Sequence, residues 1–188
     1  TAPIERLGIP AMKVTDGPNG ARGDSMASGT PALYNPAAVS LVGTFDPSIV
    51  RGLGELLGRE TVRKQAQLLL APTINIARHP VGGRNFECFG EDPYLTGHLG
   101  VAYIDGVQSQ GVGACAKHFV ANDVEYRRMT ASSEVDERTL REVYLAPFEA
   151  VVDRGVWSLM AAYPKLNGTY CTESSWLLTD VLRDEWGF

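Results

Sequence analysis

The side chains with the most chemical potential sit where apolar runs end. Asp16 closes Ala11-Met12-Lys13-Val14-Thr15, and Asn75 and Arg84 follow Gln67 to Ala71. Lys117 and His118 close Gly113 to Ala116, Arg128 lies in the polar loop beyond them, and Tyr163 closes Trp157 to Ala162. Arg22 follows Asp16 at short range. A carboxylate such as Asp16 accepts hydrogen bonds from two neighbouring hydroxyls at once. Arg22, Arg84, Lys117 and Arg128 supply charged donors, which make the stronger hydrogen bonds. That set suits the vicinal hydroxyls of a sugar. The cations alone would also suit a phosphate or carboxylate, against which Asp16 argues mildly. His79, His98 and His118 lack metal-ligand spacing, so no metal site and no cofactor is expected.

Bland readings compete at each position. Asp16-Gly-Pro is also turn chemistry. Arg84 could serve only an ion pair with Glu87 or Asp92, Arg128 could be solvated beside Arg127, and Tyr163 could be an amphipathic core residue. Asp184 and Glu185 stand near the end of an amphipathic helix and read as solvated charges rather than a catalytic pair.

These residues need a scaffold that brings four strand ends together. Strand and helix signals alternate along the chain. Asp46-Pro47 opens a helix with Ile49, Leu53, Leu56 and Leu57 on its apolar face. Asp92-Pro93 opens another, with Leu95, Leu99, Ala102 and Val107, ended by Gly111. Asp136 caps a third, with Leu140, Val143, Tyr144, Phe148, Val151 and Val152, bent by Pro147 and closed by Gly155. Ser174 or Ser175 starts a last helix that runs to about Glu185. Loops are expected from Gly17 to about Pro36, from Pro72 to Glu91 and up to about Val135. Strand–helix alternation implies an α/β fold with a parallel sheet. No GxGxxG opens a helix, which removes the usual dinucleotide signature. About four strand–helix units make half of a (β/α)8 barrel, and in such a barrel the strand ends share the face that carries the active site.

Composition narrows the function classes. The chain has 188 residues, 44% hydrophobic and 21% charged, with a net charge of −5. No basic run is present to neutralise phosphates, so a nucleic-acid partner is not expected. No apolar stretch approaches ~20 residues, so no membrane span is expected. Cys88, Cys115 and Cys171 have no CxxC spacing and read as buried free thiols of a reducing compartment, slightly favouring the cytoplasm. Asn167-Gly-Thr169 matches a glycosylation tripeptide, yet an Asn-Gly turn explains it as well. Oligomeric state stays open.

The residues carry a family resemblance. Arg6-Leu-Gly-Ile-Pro10, Thr15-Asp-Gly-Pro-Asn-Gly-Ala-Arg22-Gly, Ala71-Pro-Thr-Ile-Asn75-Ile and Gly82-Gly-Arg-Asn-Phe-Glu87 occur in order. Glu91-Asp-Pro93, Lys117-His-Phe-Val-Ala-Asn122, Met160-Ala-Ala-Tyr163 and Leu182-Arg-Asp-Glu-Trp-Gly-Phe188 complete the set. From about residue 5 to the last residue the chain resembles the N-terminal barrel of glycoside hydrolase family 3. The β-glucosidase branch fits better than the N-acetylhexosaminidase branch, which has Pro-Gly-His-Gly where Val-Ala-Asn stands here.

The resemblance implies a partial TIM barrel over residues 1–188, with the opening strand–helix segment and a second α/β sandwich domain outside the chain. It implies exo-acting, retaining hydrolysis of a small β-glucoside or oligosaccharide, with release of terminal non-reducing β-D-glucosyl residues. The nucleophilic Asp is then expected just beyond Phe188 and the acid/base Glu in the second domain, so no catalytic residue lies within the chain. Asp16 would hold the hydroxyls furthest from the reacting carbon, and Arg84, Lys117 and His118 the neighbouring ones. Arg22 and Arg128 would brace the pocket, Met160 would line it, and Tyr163 would donate to the nucleophile. Pro164 departs from the Asn that usually follows this Tyr. A carbohydrate-binding or pseudoenzyme domain is the alternative. Successive strand residues point to opposite faces, so Lys117 and His118 reach one pocket only if alternation breaks there. The resemblance supports a non-proline cis bond near the pair.

Overall fold

The computed structural model describes residues 1–23, 25 and 29–188; part of the expected loop 17–36 lies outside them. Among the described residues, the strand and helix signals resolve into nine short strands and five α-helical segments. In chain order these are β1 (Val14–Asp16), α1 (Ala38–Val42), α2 (Pro47–Arg63), β2 (Leu68–Leu70), β3 (Thr73–Ile76), β4 (Cys88–Gly90), α3 (Pro93–Gln108) and β5 (Gly113–Phe119). There follow β6 (Ser132–Ser133), α4 (Glu137–Thr139), α5 (Ala146–Asp153), β7 (Ser158–Ala161), β8 (Lys165–Leu166) and β9 (Thr169–Tyr170). A π-helical stretch, Leu140–Leu145, joins α4 to α5, and another, Trp176–Glu185, follows β9.

The main sheet is parallel throughout. β1 pairs with β2, β2 and β3 pair with successive stretches of β5, and β5 pairs with β7. β2 and β3 are therefore one barrel strand interrupted at Ala71-Pro72, whose peptide bond is cis. This gives four barrel positions curled into a half-barrel, as expected. The expected loop from Pro72 to Glu91 is corrected: β3 occupies its start, and β4 lies against β3 further on. The third strand also runs on to Phe119, which places Lys117 and His118 inside it. β6, β8 and β9 form a separate small sheet.

The helix starts follow the capping chemistry. Asp46 accepts from the Ser48 amide at 2.8 Å, Asp92 from Leu95 at 2.7 Å and Asp136 from Thr139 at 3.0 Å. Pro147 does not bend a continuous α-helix. It sits in the first turn of α5, and the backbone before it widens into the π-helical stretch. Pro147 has no N–H to give the preceding turn, and the wider turn accommodates that loss.

The core lies between sheet and helices. Leu57, Leu69, Ile74, Phe89, Leu99, Ile104 and Phe148 are fully buried in it. The expected apolar face of α2 is only partly right, since Ile49 is exposed. The buried side is Val50, Gly54, Leu57, Gly58 and Thr61. Small residues win there because α2 and α3 touch backbone to backbone. A Cβ on Gly106 would stand 2.2 Å from the Arg51 carbonyl oxygen, and one on Gly54 2.3 Å from that of Tyr103.

Candidate active site

β1 delivers Asp16 to the C-terminal end of the sheet. The chain then turns tightly, and the Arg22 amide donates to the Asp16 carbonyl at 2.9 Å. Gly17 makes that turn possible: its φ is 141°, and a Cβ there would overlap the Gly20 carbonyl oxygen. The return brings Arg22 Nη2 to 3.5 Å from Asp16 Oδ2. From the middle of the half-barrel, Lys117 Nζ donates to Asp16 Oδ1 at 3.0 Å. Burial pushes the Asp16 carboxyl up, but the charge and hydrogen bond of Lys117, with Arg22 behind them, outweigh it and hold the pKa below the ordinary value. Asp16 is therefore an ionised, half-exposed carboxylate between two cations.

Arg84 comes from the segment between β3 and β4. Its Nε donates to Glu87 Oε1, while Glu87 Oε2 accepts from Thr73 on β3 at 2.8 Å. The Arg84 pKa is raised: burial lowers it, and Glu87 more than compensates. Its Nη1 lies 3.1 Å from His118 Nε2. His118 is buried, and its pKa falls to about 3, first through burial and then through Arg84, Lys117 and Arg128. The Lys117-His118 peptide bond is cis, as is Phe119-Val120.

Glu125 extends the network. Its Oε2 accepts from Arg128 at 2.6 Å and its Oε1 stands 3.7 Å from Arg84 Nη1. The Arg128 guanidinium in turn lies over the Tyr163 ring, 4.9 Å from its centre. Met160 is the sheet partner of Lys117.

A cavity of about 380 Å³ opens beside this network, lined by Asp16, Arg22, Arg84 and Lys117 with Tyr34 and Phe86 at its apolar side. Four of the expected site residues thus share one cavity. The other four do not line it. His118 sits behind Arg84, drawn inward by Asn75 on β3, which accepts from its backbone N–H at 2.8 Å. Arg128 and Tyr163 form a neighbouring arm reached through Glu125, with Tyr163 half exposed, and Met160 stays in the sheet beside Lys117. Glu87 is the ion-pair partner weighed for Arg84. Glu125 is the residue missed. Its sequence signal is an opposite charge three positions before Arg128. Among the described residues, no three His, Cys, Asp or Glu side chains are placed to hold a metal ion.

Residues 2–188 match the model of the glycosyl hydrolase family 3 N terminal domain. The chain is 57% identical over 190 residues to a beta-glucosidase of Rhizobium radiobacter, covering 100% of this chain and 23% of that protein. It is 50% identical to thermostable beta-glucosidase B of Acetivibrio thermocellus, covering 99% of this chain and 26% of the relative. Beta-glucosidase 3B from Thermotoga neapolitana in complex with glucose superposes with a TM-score of 0.94 at 44% identity, covering 100% of this chain and 27% of that one. The Kluyveromyces marxianus beta-glucosidase in complex with glucose gives 0.96 at 46%, covering 99% and 23%. The chain spans about a quarter of the length of these relatives.

Proposed function

The chain belongs to glycosyl hydrolase family 3, and on that premise we propose that it is the sugar-gripping half-barrel of an exo-acting, retaining β-glucosidase. The substrate is a small β-glucoside or oligosaccharide, bound by its terminal non-reducing glucosyl unit. The observation that carries the reading is Asp16, ionised between Lys117 at 3.0 Å and Arg22 at 3.5 Å on the wall of the cavity. An acceptor-only carboxylate flanked by donor-only cations matches vicinal hydroxyls, each of which must both give and take a hydrogen bond. Arg84 and Lys117 hold the neighbouring hydroxyls. Arg22, Arg128 and Met160 shape the surroundings.

The chemistry needs two carboxyl groups about 5 Å apart on the barrel face. The family resemblance puts Asp16 at the far end of the sugar, and it assigns the nucleophilic Asp to a strand following Trp186-Gly-Phe188 and the acid/base to a second domain. The nucleophile displaces the aglycone at the anomeric carbon while the acid protonates the leaving oxygen. Water, deprotonated by the same group, then releases glucose with retained configuration. Arg22, Arg84, Lys117 and Arg128 face the carboxylates of Asp16, Glu87 and Glu125, and the surplus positive charge favours an ionised nucleophile.

The test is Asp16→Asn in the full-length protein. A hydrogen bond to a charged group contributes about 1.5–3 kcal/mol, so kcat/KM on an aryl β-glucoside should fall roughly 10- to 150-fold. NMR of the first-formed sugar should show the β anomer. An unchanged kcat/KM removes Asp16 from the sugar site, and an α product removes the retaining mechanism.

A further inference from the structure

His118 has two ring nitrogens, and the atoms around it decide which one carries the proton. The Asn75 side chain is gripped by the backbone of His118 itself. Asn75 Oδ1 accepts from the His118 amide at 2.8 Å, and Asn75 Nδ2 donates to the His118 carbonyl at 2.9 Å. A backbone amide only donates and a backbone carbonyl only accepts, so the orientation of the Asn75 amide is fixed. The same Oδ1 lies 3.1 Å from His118 Nδ1. Two acceptors would repel at that distance, so Nδ1 carries the hydrogen.

On the other side of the ring, Arg84 Nη1 stands 3.1 Å from Nε2. A guanidinium has no acceptor, so Nε2 must offer its lone pair. Both contacts demand the same neutral tautomer. Asn122 Nδ2 comes only to 3.4 Å from Nδ1 and has a shorter acceptor, Glu125 Oε1, at 3.2 Å. Asn75 and His118 are both buried, so bulk water does not compete for these partners.

We infer that Asn75 is a positioning residue: it locks His118 as the neutral Nδ1–H tautomer, whose bare Nε2 holds Arg84 in its place on the cavity wall. The inference rests on the sugar-site reading for its kinetic consequence and on the hydrogen-bond geometry alone for the tautomer. His118 then steadies Arg84 from behind the cavity wall. Its depressed pKa agrees with a ring that stays neutral. The charged groups around the ring are Arg84 from the β3–β4 segment, Lys117 on β5, Arg128 and Glu125 from the loop after β5, and Asp16 at the end of β1.

Neutron diffraction from the deuterium-exchanged full-length protein reads the proton directly. Deuterium is expected on His118 Nδ1 and none on Nε2, and density on Nε2 overturns the inference whatever the activity. In Asn75→Asp the new carboxylate favours the imidazolium, whose Nε2–H would confront the Arg84 donor. KM for an aryl β-glucoside should then rise roughly 10- to 100-fold below neutral pH, with kcat less affected, and recover toward alkaline pH as the ring loses its proton. A flat, wild-type pH profile of KM in a folded variant also overturns it. A wild-type protein with no glucosidase activity but deuterium on Nδ1 counts against the proposed function and not against the tautomer.

Discussion

His118 and Asp123 answer acid in opposite directions. His118 titrates near 3 in the fold against 6.5 as a free side chain, so between those values the unfolded chain binds the extra proton and stability falls as pH falls. Asp123 is raised from 3.8 to about 6, mainly by burial, with Arg78 and Tyr144 pulling it back. Between 6 and 3.8 the folded state binds that proton, so stability rises as pH falls. The two slopes oppose one another over most of the mildly acidic range. Asp123→Asn leaves the His118 slope unopposed. The thermal midpoint of the variant should drop more between pH 7 and pH 5 than that of the wild type, by the equivalent of on the order of 1 kcal/mol. Equal drops would remove Asp123 from this balance. At this scale the sequence was informative where a charged side chain follows an apolar run, as Asp16 and Lys117 do. It was silent on Glu125, because a carboxylate three residues from an arginine reads as a solvated pair until a third partner, here Arg84, is folded against it. Glu185 is a solvated-looking helix charge that in the fold grips Arg141 through both oxygens, at 2.8 and 3.1 Å.

The helices were legible at their starts and less so along their faces. Asp-Pro at 46–47 and 92–93 marks a cap and a first turn by local chemistry alone, and both form as read. Which face of α2 is buried depends instead on α3, and apolar periodicity cannot register a contact made by glycines. That contact gives a paired prediction. In Gly106→Ala the new methyl meets backbone at 2.2 and 2.8 Å, and overpacking of this kind costs about 1–3 kcal/mol, more than helix propensity returns. Gly52 lies on the same helix as Gly54 with nothing within 4 Å of a would-be Cβ. Gly52→Ala should stabilise by about 0.5–1 kcal/mol. Denaturant midpoints moving in opposite directions bear out the close packing; a stabilised Gly106→Ala counts against it. The split of the second barrel strand escaped the sequence because Pro72 ends one run without signalling that pairing to β5 resumes at Thr73.

The half-barrel leaves two open edges. Among the described residues, β1 has no strand on its outer side and β7 none beyond β5. Val14 on the first edge and Trp157 before the second are exposed. Unpaired parallel edges and an interior without its opposing strands favour association. Residues 1–188 expressed alone should therefore be poorly soluble and hydrolyse no aryl β-glucoside, since among the described residues Asp16 is the sole carboxylate closing a main-sheet strand. A soluble monomer with turnover above the no-enzyme blank would overturn both the half-barrel assignment and the role of Asp16. The alternation of strand and helix, and the four strand ends facing one way, could be read from the sequence. How far each residue stands from the cavity could not, because it depends on sheet curvature and on buried partners such as Asn75.

Cys88 on β4, Cys115 on β5 and Cys171 after β9 are all buried and unpaired. Burial pushes the Cys88 thiol up to about 12 and raises the other two. An alkylating reagent needs both access and a thiolate, and the closed fold withholds both. The rate at which each sulfur is modified is therefore set by how often its own part of the fold opens. The chain carries three native stopwatches, one on each of the two strands that flank β3 and one just after β9, that time local breathing with no engineered label.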